Sequence, residues 1–141
     1  RWMDALPGLR LVYLSRNDLL GQAISWARAL QTKQYRSTQS RRGEAVYDSE
    51  LIRSQLLVIL QERALWEGYF ARTGIQPLRI VYEQFVERPR DAVHLIADLL
   101  DVPLPNLKST TKVDLQVQRD EISLNWRQKF LTKCGDHNSL R

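Results

Sequence analysis

Leu9-Arg10-Leu11-Val12-Tyr13-Leu14-Ser15-Arg16-Asn17-Asp18-Leu19-Leu20-Gly21-Gln22-Ala23-Ile24-Ser25 is a short apolar run that ends on an arginine and passes straight into helical spacing. Leu11 to Leu14 are too few for a helix and rich in β-formers. Pro7-Gly8 precedes them and Ser15-Arg16-Asn17 follows, which predicts a strand. Apolar residues on both of its faces predict an inner position in a parallel sheet. Ser15 and Asp18 have the spacing of a capping box, and Asp18 suits the positive end of a helix dipole. Arg16 is therefore expected at the mouth of a sheet, where an α/β fold puts an anion.

In the helix that follows, Leu19, Leu20, Ala23, Ile24, Trp26, Ala27 and Leu30 are apolar. Asp18, Gln22, Ser25, Ala29 and Thr32 recur at helical spacing and share another face. A polar, small-residue stripe of this kind is either a solvent face or a ligand face.

Twenty-one basic against 16 acidic residues give a net charge of +5, which favours an anionic partner without choosing among nucleic acid, phosphorylated cofactor and membrane. With 43% hydrophobic residues in 141, one domain with a real core is expected. The single cysteine, Cys134, excludes an intrachain disulfide and a multi-thiolate metal site. His94 and His137 lack ligand-spaced partners, so no metal is expected. Apolar runs fall far short of the ~20 residues that span a bilayer. No signal-peptide pattern opens the chain, so a cytoplasmic protein is expected. Arg1 to Gly8 read like the tail of a helix entering a core strand, which suggests a further segment upstream.

Lys33 to Gly43 form a basic loop by composition, either solvated or framing the same site as the helix stripe. Asp48 or Ser49 is expected to cap a long helix over about 50–73, with Ile52, Leu56, Ile59, Leu60, Trp66 and Phe70 as core and Gly74 as its stop. Pro77 to Tyr82 predict a second strand, and Pro89 opens a helix through about Leu100 with His94 on or beside its inner face. Residues 103–117 read as extended or irregular, 121–131 as a last helix, and 134–141 as a frayed tail. The order is that of a helix-rich α/β chain, and two strands alone are few for a parallel sheet.

Leu14-Ser15-Arg16-Asn17-Asp18, Gln22-Ala23-Ile24-Ser25, Ala29-Leu30-Gln31-Thr32 with Tyr35, Gly74-Ile75-Gln76-Pro77-Leu78, Tyr82-Glu83-Gln84-Phe85, and Gln118-Arg119-Asp120-Glu121-Ile122-Ser123 with Trp126 and Phe130 resemble a known family. It is that of the bacterial carbohydrate sulfotransferases typified by trehalose 2-sulfotransferase, which use 3′-phosphoadenosine 5′-phosphosulfate (PAPS). The similarity runs in order from about residue 6 to 131, so residues 1–133 are read as the C-terminal part of one sulfotransferase domain.

The resemblance implies a P-loop-like fold and a cofactor site in which Arg16 and Ser25 bind the 3′-phosphate. It implies adenine against Tyr82, and Gln118-Arg119 in a loop closing over the same phosphate. A guanidinium and a hydroxyl suit that ligand chemically. The family's N-terminal loop for the phosphosulfate and its acidic general base have no counterpart in this sequence. No catalytic residue is therefore assigned, and the N-terminal strands are expected to be missing.

The implied reaction is metal-free transfer of a sulfuryl group from PAPS to a hydroxyl of a carbohydrate or glycolipid acceptor, leaving adenosine 3′,5′-bisphosphate (PAP). The chain alone is expected to be inactive. Two other readings stand beside it: a non-catalytic module that binds 3′-phosphonucleotides, and nucleic-acid binding through Lys33 to Arg42, which lacks any accompanying recognition motif. An open sheet edge would also favour homo-oligomers.

Overall fold

The computed structural model describes residues 5–6, 8–35, 39–40, 42–104 and 120–134. They fall into two compact units, one of Arg1–Asn17 with Glu67–Leu115, the other of Asp18–Trp66 with Gln116–Arg141.

In the first unit, β1 (Val12–Ser15) and β2 (Leu78–Val81) pair in parallel, with Val12 beside Leu78 and Ser15 beside Val81. Helix α3 (Tyr82–Glu87) follows β2 without a break, and α4 (Pro89–Leu100) follows α3. Arg88, at φ −136°, interrupts the two helices, and Pro89 takes the first turn of α4, where its missing N–H costs nothing. Tyr13 meets Phe70 edge to face at 5.3 Å between ring centroids, and Ile80 is buried. One face of β1 is open in this chain. Val12 is 44% and Leu14 55% exposed, and among the described residues β1 pairs with β2 alone. The parallel pairing itself is as expected.

In the second unit, α1 (Leu19–Thr32), most of α2 (Ser49–Thr73) and α5 (Glu121–Cys134) enclose a core of Ala23, Ile24, Ala27, Ile52, Ile59, Trp126 and Phe130. Asp48 caps α2 as expected, its Oδ1 accepting from the N–H groups of Glu50 and Leu51 at 3.0 Å each. Leu60 and Trp66, expected in the core, are instead 43% and 48% exposed, so the apolar surface of α2 is wider than the face it buries.

The cap of α1 is Asp18 rather than Ser15. The Asp18 side chain accepts from Gly21 N–H at 3.0 Å, and both carboxylate oxygens also accept from Arg127 Nη2 of α5. The converse arrangement stands at the start of α5. Asp120 Oδ1 accepts from Ser123 N–H at 2.9 Å, and the same carboxylate receives Arg28 of α1 as a fork at 2.6 and 2.7 Å. Arg28 Nη1 also reaches Ser123 Oγ at 2.6 Å. Each helix thus caps itself with an aspartate that holds an arginine of the other, which fixes α1 and α5 antiparallel.

Gly21 makes room for this. A Cβ there would lie 2.8 Å from Arg127 Nη2 and closer still to the Asp18 carboxylate. Alanine would gain about 1 kcal/mol of helix propensity, but would displace both a cap worth about 1 kcal/mol and the ion pair resting on it. Gly21→Ala should therefore lower the thermal unfolding midpoint. An equal or higher midpoint would contradict the clamp's part in stability.

The Arg28 fork and the Ser123 hydrogen bonds pull the Asp120 carboxyl from 3.8 down to about 2, against the opposing effect of burial. A carboxyl depressed in the fold stabilises it above the unfolded value and loses that contribution as pH falls toward the folded value. Stability should thus fall between pH 3.8 and about 2. Asp120→Asn should start less stable at neutral pH and lose less across that window. Parallel losses in the two proteins would refute the assignment.

Candidate functional site

Because β1 and β2 run parallel and in register, Arg16 and Tyr82 leave the same end of adjacent strands, one step beyond the Ser15 and Val81 partners. The Arg16 guanidinium carbon sits 4.8 Å from the centre of the Tyr82 ring, over its face. Glu83, in the first turn of α3, places Oε1 3.8 Å from Arg16 Nε, and its Oε2 accepts the N–H of Asn17 at 3.1 Å. Arg16 and Glu83 have side chains 23% and 27% exposed. Ring and carboxylate therefore hold the guanidinium from two sides, and Glu83 also fixes the backbone just after it.

The arrangement is incomplete in one respect. Arg16 Nε is buried and has no hydrogen-bond partner among the described residues, since 3.8 Å to Glu83 is an ion-pair distance rather than a hydrogen bond. A buried charged donor without an acceptor is costly unless a ligand supplies one. The chemistry of such a site is recognition of an anion by a guanidinium already oriented on an aromatic face.

Ser25 is exposed on α1, in the second unit. Of its stripe, Asp18 is engaged by Arg127, and Thr32 is buried with its hydroxyl donating to Arg28 O at 2.9 Å. Gln22 and Ser25 remain as its polar members without such a structural duty. Gln118 and Arg119 lie outside the described residues, as do Arg36 and Arg41 of the basic loop. Of that loop, Lys33 is the left-handed C-cap of α1 at φ 55°, and Arg42 N–H donates to Thr32 O at 2.9 Å. His94 is exposed on α4 rather than inward.

The sequence alone assigns no role to Glu83. The signal that could have found it is positional, because an acid just after a parallel strand faces the basic residue just after its neighbour. Among the described residues no three His, Cys, Asp or Glu gather in a way that would hold a metal ion. No helix of the described residues is long and apolar enough to cross a membrane.

Comparison with known proteins adds an independent line. The model of the Stf0 sulphotransferase family matches residues 1–133. A trehalose 2-sulfotransferase of Mycobacterium tuberculosis (strain ATCC 35801 / TMC 107 / Erdman) is 27% identical over 121 residues, 84% of this chain and 44% of that protein. A trehalose 2-sulfotransferase of Mycolicibacterium smegmatis (strain ATCC 700084 / mc(2)155) is 22% identical over 122 residues, 85% of this chain and 45% of that protein. The chain thus spans about half the length of the curated relatives it matches.

Proposed function

Given that this chain belongs to the Stf0 sulphotransferase family, we propose that it forms the 3′-phosphate side of a PAPS site in an enzyme that sulfates a carbohydrate hydroxyl. The observation that carries the proposal is the buried, unsatisfied Nε of Arg16 beside the Tyr82 ring. A phosphate there completes the hydrogen bonding of a guanidinium that is otherwise left short. When bound, PAPS supplies the sulfuryl group and a bisphosphate leaving group. Arg16 grips the 3′-phosphate, and the Arg16–Glu83 pair keeps the guanidinium from swinging away when the site is empty.

Tyr82 is proposed to meet the adenine, as the family resemblance implies, with one adjustment. One face of the ring already carries Arg16. The nucleobase therefore takes the other face or the ring edge. Ser25 is proposed as a second phosphate ligand from α1, and Gln118 and Arg119 as closing contacts. These three rest on resemblance. The acceptor is proposed to be a sugar, as the names of the relatives suggest, and the general base and phosphosulfate loop are assigned to residues outside this chain. The full P-loop-like sheet belongs to the same proposal.

Calorimetry with adenosine 3′,5′-bisphosphate tests the assignment. A charged hydrogen bond is worth roughly 1.5–3 kcal/mol, so Arg16→Ala should weaken binding about tenfold to a hundredfold. Arg16→Lys keeps the charge but loses the fork and stacking, and should fall between. Glu83→Gln keeps an acceptor for Asn17 but gives up the charge that holds Arg16 in place, and should bind more weakly than wild type, by less than Arg16→Ala. Equal affinities for wild type and Arg16→Ala would sink the assigned role.

A further inference from the structure

The exposed side of α5 carries an open cleft of about 440 Å³, lined by Tyr47, Asn125, Gln128, Lys129, Thr132 and Lys133 and contained within the second unit. The last five recur at helical spacing on one side of α5, whereas Trp126 and Phe130 of the same helix are buried. Tyr47 comes from the segment that leads into α2. No acidic residue lines the cleft. Two ammonium groups, two carboxamides and two hydroxyls do, and every one of them can donate a hydrogen bond. The Tyr47 hydroxyl oxygen is buried and has no hydrogen-bond partner among the described residues.

Both ammonium groups are held by neutral partners. Lys133 Nζ donates to Ser49 Oγ at 3.2 Å, and Ser49 is buried at the start of α2. Lys129 Nζ sits 5.6 Å from the centre of the Tyr47 ring, which itself meets the buried Trp126 edge to face at 5.8 Å. Among the described residues neither lysine has a carboxylate within ion-pair distance. The negative end of the α5 dipole accounts for Lys133. It does not account for Lys129, one turn earlier, and like charges four residues apart on a helix repel. Fixing two long side chains also costs conformational entropy. A bound anion offsets both costs.

The lining defines the class of ligand. A set of donors with no carboxylate suits an oxyanion, which only accepts. The cleft is larger than a bare phosphate or sulfate fills and lies in the size range of small-molecule sites. Carboxamides and a threonine hydroxyl, which both donate and accept, match the hydroxyls of a sugar. We infer that this cleft binds a sugar carrying a phosphate or sulfate ester, with Lys129 and Lys133 on the ester oxygens and Asn125, Gln128 and Thr132 on the sugar hydroxyls. The inference does not depend on the Arg16 site, with which the cleft shares no residue.

Calorimetry of the chain with glucose 6-phosphate, glucose 6-sulfate, glucose and inorganic phosphate tests it. At least one of the two esters should bind saturably, and the tighter one identifies the source of the anion. Glucose and inorganic phosphate should each bind more weakly than that ester. Lys129→Gln and Lys133→Gln should each weaken ester binding about fivefold, and the double variant at least about tenfold. Arg53→Gln, which removes an exposed charge of α2 outside the cleft, should leave it unchanged. Absence of binding by both esters at millimolar concentration would overturn the inference, as would affinity that the double lysine variant retains. Equal weakening by Arg53→Gln would reduce the effect to general charge and overturn it as well. So would a single-stranded oligonucleotide that displaces the ester and binds more tightly, since the cleft would then be reading a nucleic-acid backbone.

Discussion

The parallel register of β1 and β2 is the constraint on which the candidate site depends. With Ser15 fixed beside Val81, the next residue of each strand emerges at the same end, and Arg16 is brought onto the Tyr82 ring. A one-residue slip would send each strand's side chains to the opposite face and part the two. Glu83 then follows from continuity, since α3 begins directly at Tyr82 and its first turn turns back toward the arginine. A strand pairing thus creates an oriented cation, and the chemistry of the site begins with that cation.

The second unit is governed by a different economy of charge. Asp18 and Asp120 each satisfy the first turn of their own helix and hold an arginine of the other. Exposed ion pairs contribute little by themselves, but here each carboxylate is already ordered by its capping bond, so less side-chain entropy is lost in forming the pair. Ile24 and Ala27 of α1 and Trp126 and Phe130 of α5 belong to one buried apolar cluster, which supplies the hydrophobic part of the stability. Arg28 keeps a buried Nε without a hydrogen bond, the cost of burying a guanidinium that is otherwise well satisfied.

Much of this was legible in the sequence for a simple reason. Strands and helices announce themselves through local periodicity, and β1, α1, α2, β2, α4 and α5 each stand within a few residues of their expected bounds. Arg16 is likewise marked by its place at the end of a strand, whereas Tyr82 is marked only by the family resemblance. What could not be read depends on pairing between distant residues. The contacts Asp18–Arg127 and Arg28–Asp120 join positions about a hundred apart, so Asp18 looked like half of a capping box rather than a clamp. The short helix α3 was hidden because six residues carry too little periodicity to separate a helix from a loop. Leu60 and Trp66 misled because an apolar residue at helical spacing signals burial without saying against what, and α2 presents more than one apolar side.

The central claim is that Arg16 is poised for an anion through a donor the protein leaves unsatisfied. Its most direct test is the arginine Nε–H region of a proton–nitrogen correlation spectrum, recorded while adenosine 3′,5′-bisphosphate is added. The Arg16 Nε–H signal, assigned by its loss in Arg16→Lys, should move downfield and saturate with the ligand as the missing hydrogen bond forms. A signal that stays in place while the ligand binds elsewhere on the chain would contradict the account.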